Sequence, residues 1–321
     1  MTNRFIKKVK LELFLLYKLF NPKYTPVCAG DFKCYLNYFK NRFFSGSLFE
    51  KINGFKFEGD DGFEIHVLCQ KSDIWMMAWS LYSFLYFSGL KPSAVIIHDD
   101  GSLEDTDMNT LMSKFSNLRV MSRSDADNKV AGLLNNEKAR RYRKEGHSLI
   151  LKLVDIFVLS SAPKVMILDS DVLFFNKPEE IIKFIKGMSG SDALISGLPE
   201  VFDKFKILVN DEYLRRNGLI GSKIEFMNSG IILYNKSALS LDMLYQYFDN
   251  CLREYGDYFV EMTGWNCLIG QLKYNFLPVN KYIIKGEVAE TTVAKHYTSG
   301  RRQELYAHGV DLVRLKIKNG K

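Results

Sequence analysis

The chain has 321 residues, of which 47% are hydrophobic and 25% are charged. These are the proportions of a folded protein rather than of a disordered or fibrous one. Seven prolines and the lack of compositionally biased stretches argue against long linkers. Five cysteines without a CxxC pair argue against a disulfide framework or a cysteine-based zinc site, and they favour a reducing compartment.

The net charge of +7 is concentrated at the two ends of the chain. Residues 1–23 carry six basic and one acidic side chain, and residues 301–321 carry six basic and two acidic ones. This is not the broad basic field of a nucleic-acid-binding protein, so no nucleic-acid partner is expected. It fits an anionic surface contacted by the ends, or a phosphate bound at one place.

The apolar residues of segment 5–20 recur at helical spacing with lysines between them, which predicts a basic amphipathic helix. The segment is too short and too charged to span a bilayer, and it is not a clean signal peptide. Two interpretations stay open: the helix packs on its own domain, or residues 1–22 lie in an anionic membrane interface. We therefore expect a cytoplasmic protein, with peripheral attachment to the inner face of the membrane as the second interpretation.

Strands and helices are expected to alternate from residue 63 onward. Asp73 is expected to cap a helix that ends at Gly89, and a loop with a helix is expected over residues 124–146. The other predicted helices cover residues 105–115, 149–160, 178–185 and 239–253. Predicted strands cover residues 64–70, 94–98, 118–121, 164–168, 193–196 and 230–234, with a weak one at 310–317. The alternation predicts an α/β fold whose mostly parallel sheet is covered by helices on both faces.

We divide the chain into three parts on this pattern. Residues 1–60 form an N-terminal extension that is basic, amphipathic and aromatic-rich. Residues 61–300 form the main domain, and residues 301–321 form a basic C-terminal tail that packs on it. The aromatic residues of segment 35–44 are expected to pack, with contact to an acceptor or a lipid as the alternative.

Asp169 and Asp171 follow the apolar segment 164–168 directly and precede a second apolar run. Unpaired carboxylates are costly in such a stretch, and side chains at i and i+2 of an extended chain point the same way. Both acids therefore face one point at the carboxyl end of a strand, where open α/β sheets bind ligands. Two oxygen donors at one point suit Mg²⁺ or Mn²⁺ with phosphates. The alternative is a pair of acids that cap loop amides.

The segment ILDSDVLFF, followed by a proline and a helix, resembles the DxD segment of GT-A fold glycosyltransferases, most closely those of glycosyltransferase family 8 and its relatives. Four further segments support the resemblance in the same order along residues 62–310. EIHVLCQ is similar to the first nucleotide-binding strand and AVIIHDDGSL to the second. FMNSGIILYN resembles the family's Asn-x-Gly segment, and AKHYTSGRR its late His-x-x-Gly-x-x-Lys segment.

The resemblance implies roles for individual residues. Asp169, Asp171 and His296 would bind Mn²⁺ or Mg²⁺, and Asn228 and Gly230 would line the donor sugar. Arg301 and Arg302, after Gly300, stand where the family has a phosphate-binding lysine, although the spacing from His296 to Gly300 is one residue longer. The family's acid–glutamine pair is missing before the late helix; Asn266 or Gln271 would substitute for it, and Glu261 is the nearest carboxylate.

Three further residues are candidates for the nucleotide site on their positions alone. Asp99 and Asp100 end the strand 94–98 and would bind the ribose or base, or else they organise a turn. Lys152 precedes the DxD strand on a helix; it faces the phosphates or is a solvated lysine.

The hypothesis is a metal-dependent glycosyltransferase that moves a hexose from a nucleotide diphosphate sugar, a UDP-sugar, to a glycan or lipid-linked acceptor. The family 8 resemblance implies retention of anomeric configuration. Alternatives are an inverting GT-A transferase with Glu261 or another acid as general base, a sugar nucleotidyltransferase, and a non-catalytic carbohydrate- or membrane-associated binding protein. The chain lacks the glycine-rich phosphate loop that is usual in a nucleotidyltransferase. The pair Asp169 and Asp171 argues against a non-catalytic binding protein.

Overall fold

A computed structural model describes residues 32–56, 60–198, 209–218, 226–298 and 301–320. The predicted helix of segment 5–20, and residues 1–22 as a candidate membrane-interface segment, lie outside these ranges. The chain divides into two compact units, one of residues 53–296 and one that joins residues 1–52 to residues 297–321. Within the described ranges, no helix has the length and apolar character needed to cross a membrane.

The elements are numbered here in chain order within the described residues. The helices are α1 (Phe32–Phe43), α2 (Ser45–Glu50), α3 (Ile74–Ser88), α4 (Asp105–Lys114), α5 (Arg123–Leu133), α6 (Glu137–Glu145), α7 (Ile150–Leu159), α8 (Glu179–Ile185), α9 (Asp211–Arg216), α10 (Leu241–Asn250), α11 (Val260–Ile269), α12 (Arg302–Glu304) and α13 (Val310–Asn319). The strands are β1 (Phe63–Cys69), β2 (Ala94–Asp99), β3 (Leu118–Met121), β4 (Lys164–Leu168), β5 (Val172–Phe174), β6 (Ala193–Gly197), β7 (Met227–Asn235), β8 (Tyr274–Phe276), β9 (Tyr282–Ile283) and β10 (Ala294–His296).

A seven-stranded sheet of order β3-β2-β1-β4-β7-β6-β8 forms the centre of the larger unit. All its neighbours are parallel except β7, which runs antiparallel to both β4 and β6. Strands β1, β2, β4 and β6 are apolar and almost entirely buried, which requires cover on both faces. The predicted α/β class with a mostly parallel, doubly covered sheet is confirmed.

A second, three-stranded sheet of order β5-β10-β9 lies in the same unit. Strand β10 is antiparallel to β5, with His296 opposite Val172, and parallel to β9. This pairing brings the end of the larger unit, residue 296, next to the segment that follows β4. The short strands β8, β9 and β10 are not among the elements expected from the sequence.

In the smaller unit, α1 packs on the C-terminal segment. Asn41 Nδ2 donates to the Tyr306 carbonyl at 2.8 Å, and Lys40 Nζ lies 2.9 Å from Asp311 Oδ2. Cys34 takes part in a disulfide bond, which the sequence did not predict, whereas the thiols of Cys69, Cys251 and Cys267 are free.

Three local predictions were wrong. The weak strand expected at residues 310–317 is the helix α13, because Val310 and Val313 are buried one helical turn apart. Asp73 precedes α3 without capping it; its carboxylate accepts from Gln70 Nε2 and Ser72 Oγ, both at 2.9 Å. The loop expected within residues 124–146 is largely helical, because Ser122 and Asn136 cap α5 and α6 through their side chains.

Candidate functional site

Asp169, Asp171 and His296 form one cluster whose ligand atoms all lie within 4.8 Å of one another. Asp169 follows the end of β4, and Asp171 immediately precedes β5. His296 is the last residue of β10, which the antiparallel pairing holds beside β5. Three residues from two distant parts of the chain therefore meet at the carboxyl edge of β4.

The orientation of His296 suits a metal ligand. Its Nδ1 lies 2.8 Å from Asn228 Oδ1, which accepts a hydrogen bond from it. Its Nε2 is then directed at the carboxylates, 3.0 Å from Asp171 Oδ1 and 3.6 Å from Asp169 Oδ2. Two carboxylates and one imidazole held by a neighbouring amide are a donor set that fits Mn²⁺ or Mg²⁺.

The charges of the cluster are not balanced within it. Burial lowers the pKa of His296, but the carboxylates of Asp171 and Asp169 outweigh burial and raise it overall. The point between these three side chains therefore attracts positive charge, as expected of a cation site.

Gly230 is required by the close approach of the cluster to β7. A Cβ atom at this position would lie 2.4 Å from His296 Nδ1 and 2.9 Å from Asn228 Oδ1. The Gly230 carbonyl accepts from the Asp169 amide at 2.9 Å, which continues the β4–β7 pairing to the edge of the site. Asn228 and Gly230 thus adjoin the cluster, and their contact with a donor sugar stays a prediction.

Lys152 is buried, so the interpretation as a solvated lysine was wrong. Its Nζ lies 2.6 Å from Asp169 Oδ1 and 3.4 Å from Glu261 Oε1, and it donates to the Ser229 carbonyl at 2.7 Å. Burial lowers the pKa of Lys152, but the two carboxylates outweigh it and raise the pKa. Lys152 is therefore a buried cation that holds one oxygen of Asp169 and leaves the other directed at His296.

Glu261, near the start of α11, is the buried partner of this lysine. Burial raises its pKa most; Lys152 lowers it, Asp169 raises it, and the result is a pKa of about 6. Its Oε2 lies 3.3 Å from Ser229 Oγ. Glu261 thus lies one side chain away from the metal cluster, with Lys152 between them.

Asp99 and Asp100 lie at the end of β2, the same sheet edge at which β4 ends. Asp99 Oδ1 accepts from the amides of Gly101, Ser102 and Leu103, at 2.8, 3.0 and 3.1 Å. Asp100 Oδ1 accepts from the Ser102 hydroxyl at 2.6 Å. Both acids organise a turn, and their contact with a nucleotide stays a prediction.

The remaining candidates are not members of the cluster. Asn266 is fully buried in α11, and Gln271 Nε2 donates to Cys267 O at 2.9 Å and to Tyr213 Oη at 3.2 Å. Arg301 and Arg302 belong to the smaller unit, where the Arg301 amide donates to the Thr298 carbonyl, and Gly300 lies outside the described residues. The roles of these residues stay predictions.

Two residues of the site are absent from the candidates chosen on sequence. Ser229 binds Lys152 through its carbonyl, and Ser196 Oγ donates to the Asn228 carbonyl at 2.9 Å. Ser229 is the middle residue of the Asn-x-Gly segment, so its position carried a signal. Ser196, a polar residue ending an apolar strand, carried a weaker one.

No protein-family model matches the sequence, and no curated protein matches it either. Among solved structures, the chain is similar to the bifunctional glycosyltransferase WbbM, with a TM-score of 0.52, 12% identity, and coverage of 83% of this chain and 51% of WbbM. It thus spans about half the length of WbbM. Mouse xyloside xylosyltransferase 1 aligns with a TM-score of 0.47 at 11% identity, covering 76% of this chain and 99% of that one. The galactosyltransferase LgtC, solved with donor and acceptor sugar analogues, aligns with a TM-score of 0.46 at 13% identity, covering 80% and 95%.

The similarity to WbbM concerns the fold, because identity is far below the level at which activity can be transferred. It agrees with the mixed seven-stranded sheet and the helices on both faces. The chain has the GT-A glycosyltransferase fold.

Proposed function

We propose that the chain is a metal-dependent glycosyltransferase of the family 8 type, which moves a hexose from a UDP-sugar to a hydroxyl of a glycan or lipid-linked acceptor. The observation that carries the proposal is the cluster of Asp169, Asp171 and His296 at the carboxyl edge of β4 in a GT-A fold. Ligands of open α/β sheets bind at this edge.

Asp169, Asp171 and His296 would hold the Mn²⁺ or Mg²⁺ ion. A divalent ion bound there supplies Lewis-acid neutralisation of the charge that develops on the departing diphosphate. Asn228 holds the imidazole with Nε2 toward the carboxylates. Lys152 fixes one oxygen of Asp169 and so presents the other to the site. Preorganised ligands of this kind need no rearrangement when the donor binds.

The surrounding residues take the remaining roles in the proposal. Asn228 and Gly230 line the donor sugar, and the turn at Asp99 and Asp100 contacts the nucleoside. Arg301 or Arg302 binds the diphosphate, with Gly300 allowing the chain to turn.

The burial of Glu261 argues against this residue as the general base of an inverting reaction. A general base must come within hydrogen-bond reach of the acceptor hydroxyl. Glu261 is almost fully enclosed and is held by Lys152 and Ser229. Asn266 is buried deeper still on the same helix. Glu261 therefore acts on the site through Lys152 and Ser229.

The proposal is tested by hydrolysis of a panel of UDP-sugars without acceptor, in Mn²⁺ and in excess chelator. We expect hydrolysis of at least one UDP-sugar with Mn²⁺ only, and a loss of about a hundredfold or more in Asp171→Asn. The exposed Glu145→Gln is the matched carboxylate control and should leave the rate unchanged. Calorimetry with UDP and Mn²⁺ accompanies the assay.

Turnover that persists in chelator, or in Asp171→Asn, would refute the metal-dependent reaction. Tight binding of UDP-sugar with no hydrolysis and no transfer to any glycan would instead identify a non-catalytic binding protein. A panel of nucleotides with other bases shows whether uridine is the one selected.

A further inference from the structure

Five large apolar side chains form one exposed face of the smaller unit. Between 36% and 73% of the surface of each is accessible, although each is a residue type that folded proteins usually bury. Four of them follow one side of α1 at spacings of four, three and four residues. We refer to this set as the aromatic stripe: Phe32, Leu36, Phe39, Phe43 and Phe44.

The stripe is a continuous surface rather than scattered side chains. The rings of Phe39 and Phe43 lie 4.6 Å apart, and those of Phe39 and Phe44 lie 6.5 Å apart. Contiguous exposed apolar patches of this kind mark surfaces for partners or membranes.

The opposite side of α1 is fixed against the C-terminal segment. Cys34, Tyr38 and Asn41 are buried there, and the Tyr38 ring packs edge-on against Tyr306 at 6.1 Å. The ion pair of Lys40 with Asp311 holds the same side. The helix therefore cannot rotate to bury its stripe without losing these contacts.

Basic side chains outnumber acidic ones around the stripe; the acids are Glu50 of α2 and Asp311, which pairs with Lys40. α1 carries Lys33, Lys40 and Arg42 and no acidic residue. The neighbouring α13 carries Arg314, Lys316 and Lys318 against Asp311. An apolar face bordered by cations is the arrangement of a helix that lies in a lipid interface.

We propose that the aromatic stripe binds the surface of an anionic lipid bilayer, with its apolar side chains among the acyl chains and the flanking cations at the headgroups. A second copy of the chain is disfavoured as the occupant, because facing stripes would bring like charges together. The anionic bilayer matches both the apolar area and the charge. The proposal is independent of the glycosyltransferase activity.

Co-sedimentation of the full chain with vesicles tests the proposal. Vesicles of phosphatidylcholine are compared with vesicles that contain phosphatidylglycerol, at low and at high salt. We expect binding to the anionic vesicles only, and weaker binding at high salt. The triple variant Leu36→Ser, Phe39→Ser, Phe43→Ser should lose about tenfold or more in binding, since apolar insertion scales with buried area.

The matched control is a triple serine variant of three residues in the larger unit that are about as exposed: Met112, Leu133 and Met188. It should bind as the unaltered chain does. A pair variant, Phe32→Ser with Phe44→Ser, repeats the test at the two ends of the stripe in case the first triple variant does not fold. Thermal melting of each variant reports folding.

Two results would overturn the proposal. One is unchanged vesicle binding by the folded stripe variants. The other is a change from dimer to monomer in sedimentation velocity when the stripe is altered, which would identify the face as an interface between copies.

Discussion

Replacing Lys152 with methionine tests the buried charge arrangement beneath the cluster. The variant keeps the length of the side chain and removes the cation that lies between Glu261 and Asp169. Removing one partner of a buried ion pair costs about 3–5 kcal/mol, because the remaining charge stays buried. Lys152 and Glu261 are each 3% exposed, whereas Asp169 is 26% exposed and regains water more readily. We therefore expect a loss of about 3 kcal/mol in the free energy of unfolding, mostly from Glu261.

The loss should depend on pH in a defined direction. The pKa of Glu261 is about 6 with Lys152 in place, and it rises further without it. An acid with a raised pKa contributes stability that is complete below its unfolded pKa of about 4.5 and is lost as pH rises through the folded pKa. The difference between the two proteins should therefore grow from about pH 6 to about pH 8.

Urea denaturation at these pH values measures the effect. Lys152→Met combined with Glu261→Gln should recover much of the loss, since the stranded carboxylate is gone. The exposed Lys144→Met serves as the lysine control. A loss below about 1 kcal/mol at pH 8, the range of surface pairs, would refute the reasoning, as would an equal loss at both pH values.

Two further predictions concern the site and the sheet. Gly230→Ala places a Cβ 2.4 Å from His296 Nδ1, so Mn²⁺ binding measured by calorimetry should weaken about tenfold or more. Gly197→Ala, whose Cβ would lie 3.2 Å from its nearest atoms, is the milder control. Unchanged Mn²⁺ affinity in Gly230→Ala would show that the site accommodates the methyl group and would contradict the prediction. Burial raises the pKa of Glu64, but hydrogen bonds from His66 and from residues 161 and 162 lower it to about 2. The stabilisation from the ionised carboxylate is therefore present above about pH 4.5 and is lost as pH falls toward 2. Glu64→Gln should lower the free energy of unfolding by about 3 kcal/mol at neutral pH and reduce the fall of the urea midpoint at acid pH; an unchanged acid dependence would contradict this.

The sheet could be predicted where one local signal dominates. The strands at Leu118–Met121 and Lys164–Leu168 have the bounds that their apolar runs indicate. The placement of two acids directly after such a run indicates a site at the strand end, and the structure brings them together with His296. These features depend on a few adjacent residues, so the sequence contains them.

The environment of Lys152 could not be predicted in the same way. On a helix, a lysine among apolar residues usually marks the exposed side. Here α7 is covered by the sheet and by α11, so both Lys152 and Asp155 are buried. Their partners, Glu261 and Arg143, come from other helices. Short strands such as β10 could not be predicted from the sequence either, because they form through pairing with other strands and three residues carry too weak a pattern.

Because β7 runs antiparallel to β4, it returns the chain to the site after a long excursion, and that excursion can vary in sequence and length. Asp169 and Asn228 adjoin through strand pairing, since the Asp169 amide binds the Gly230 carbonyl. The chain between them passes through β5, α8, β6 and α9 before it returns. Insertions in the connections after β5 would leave the spacing of the three ligand side chains unchanged, because Asp169, Asp171 and His296 are held by β4, β5 and β10. Under the proposed function, the residues that select the substrate can therefore be remodelled while the metal ligands are kept.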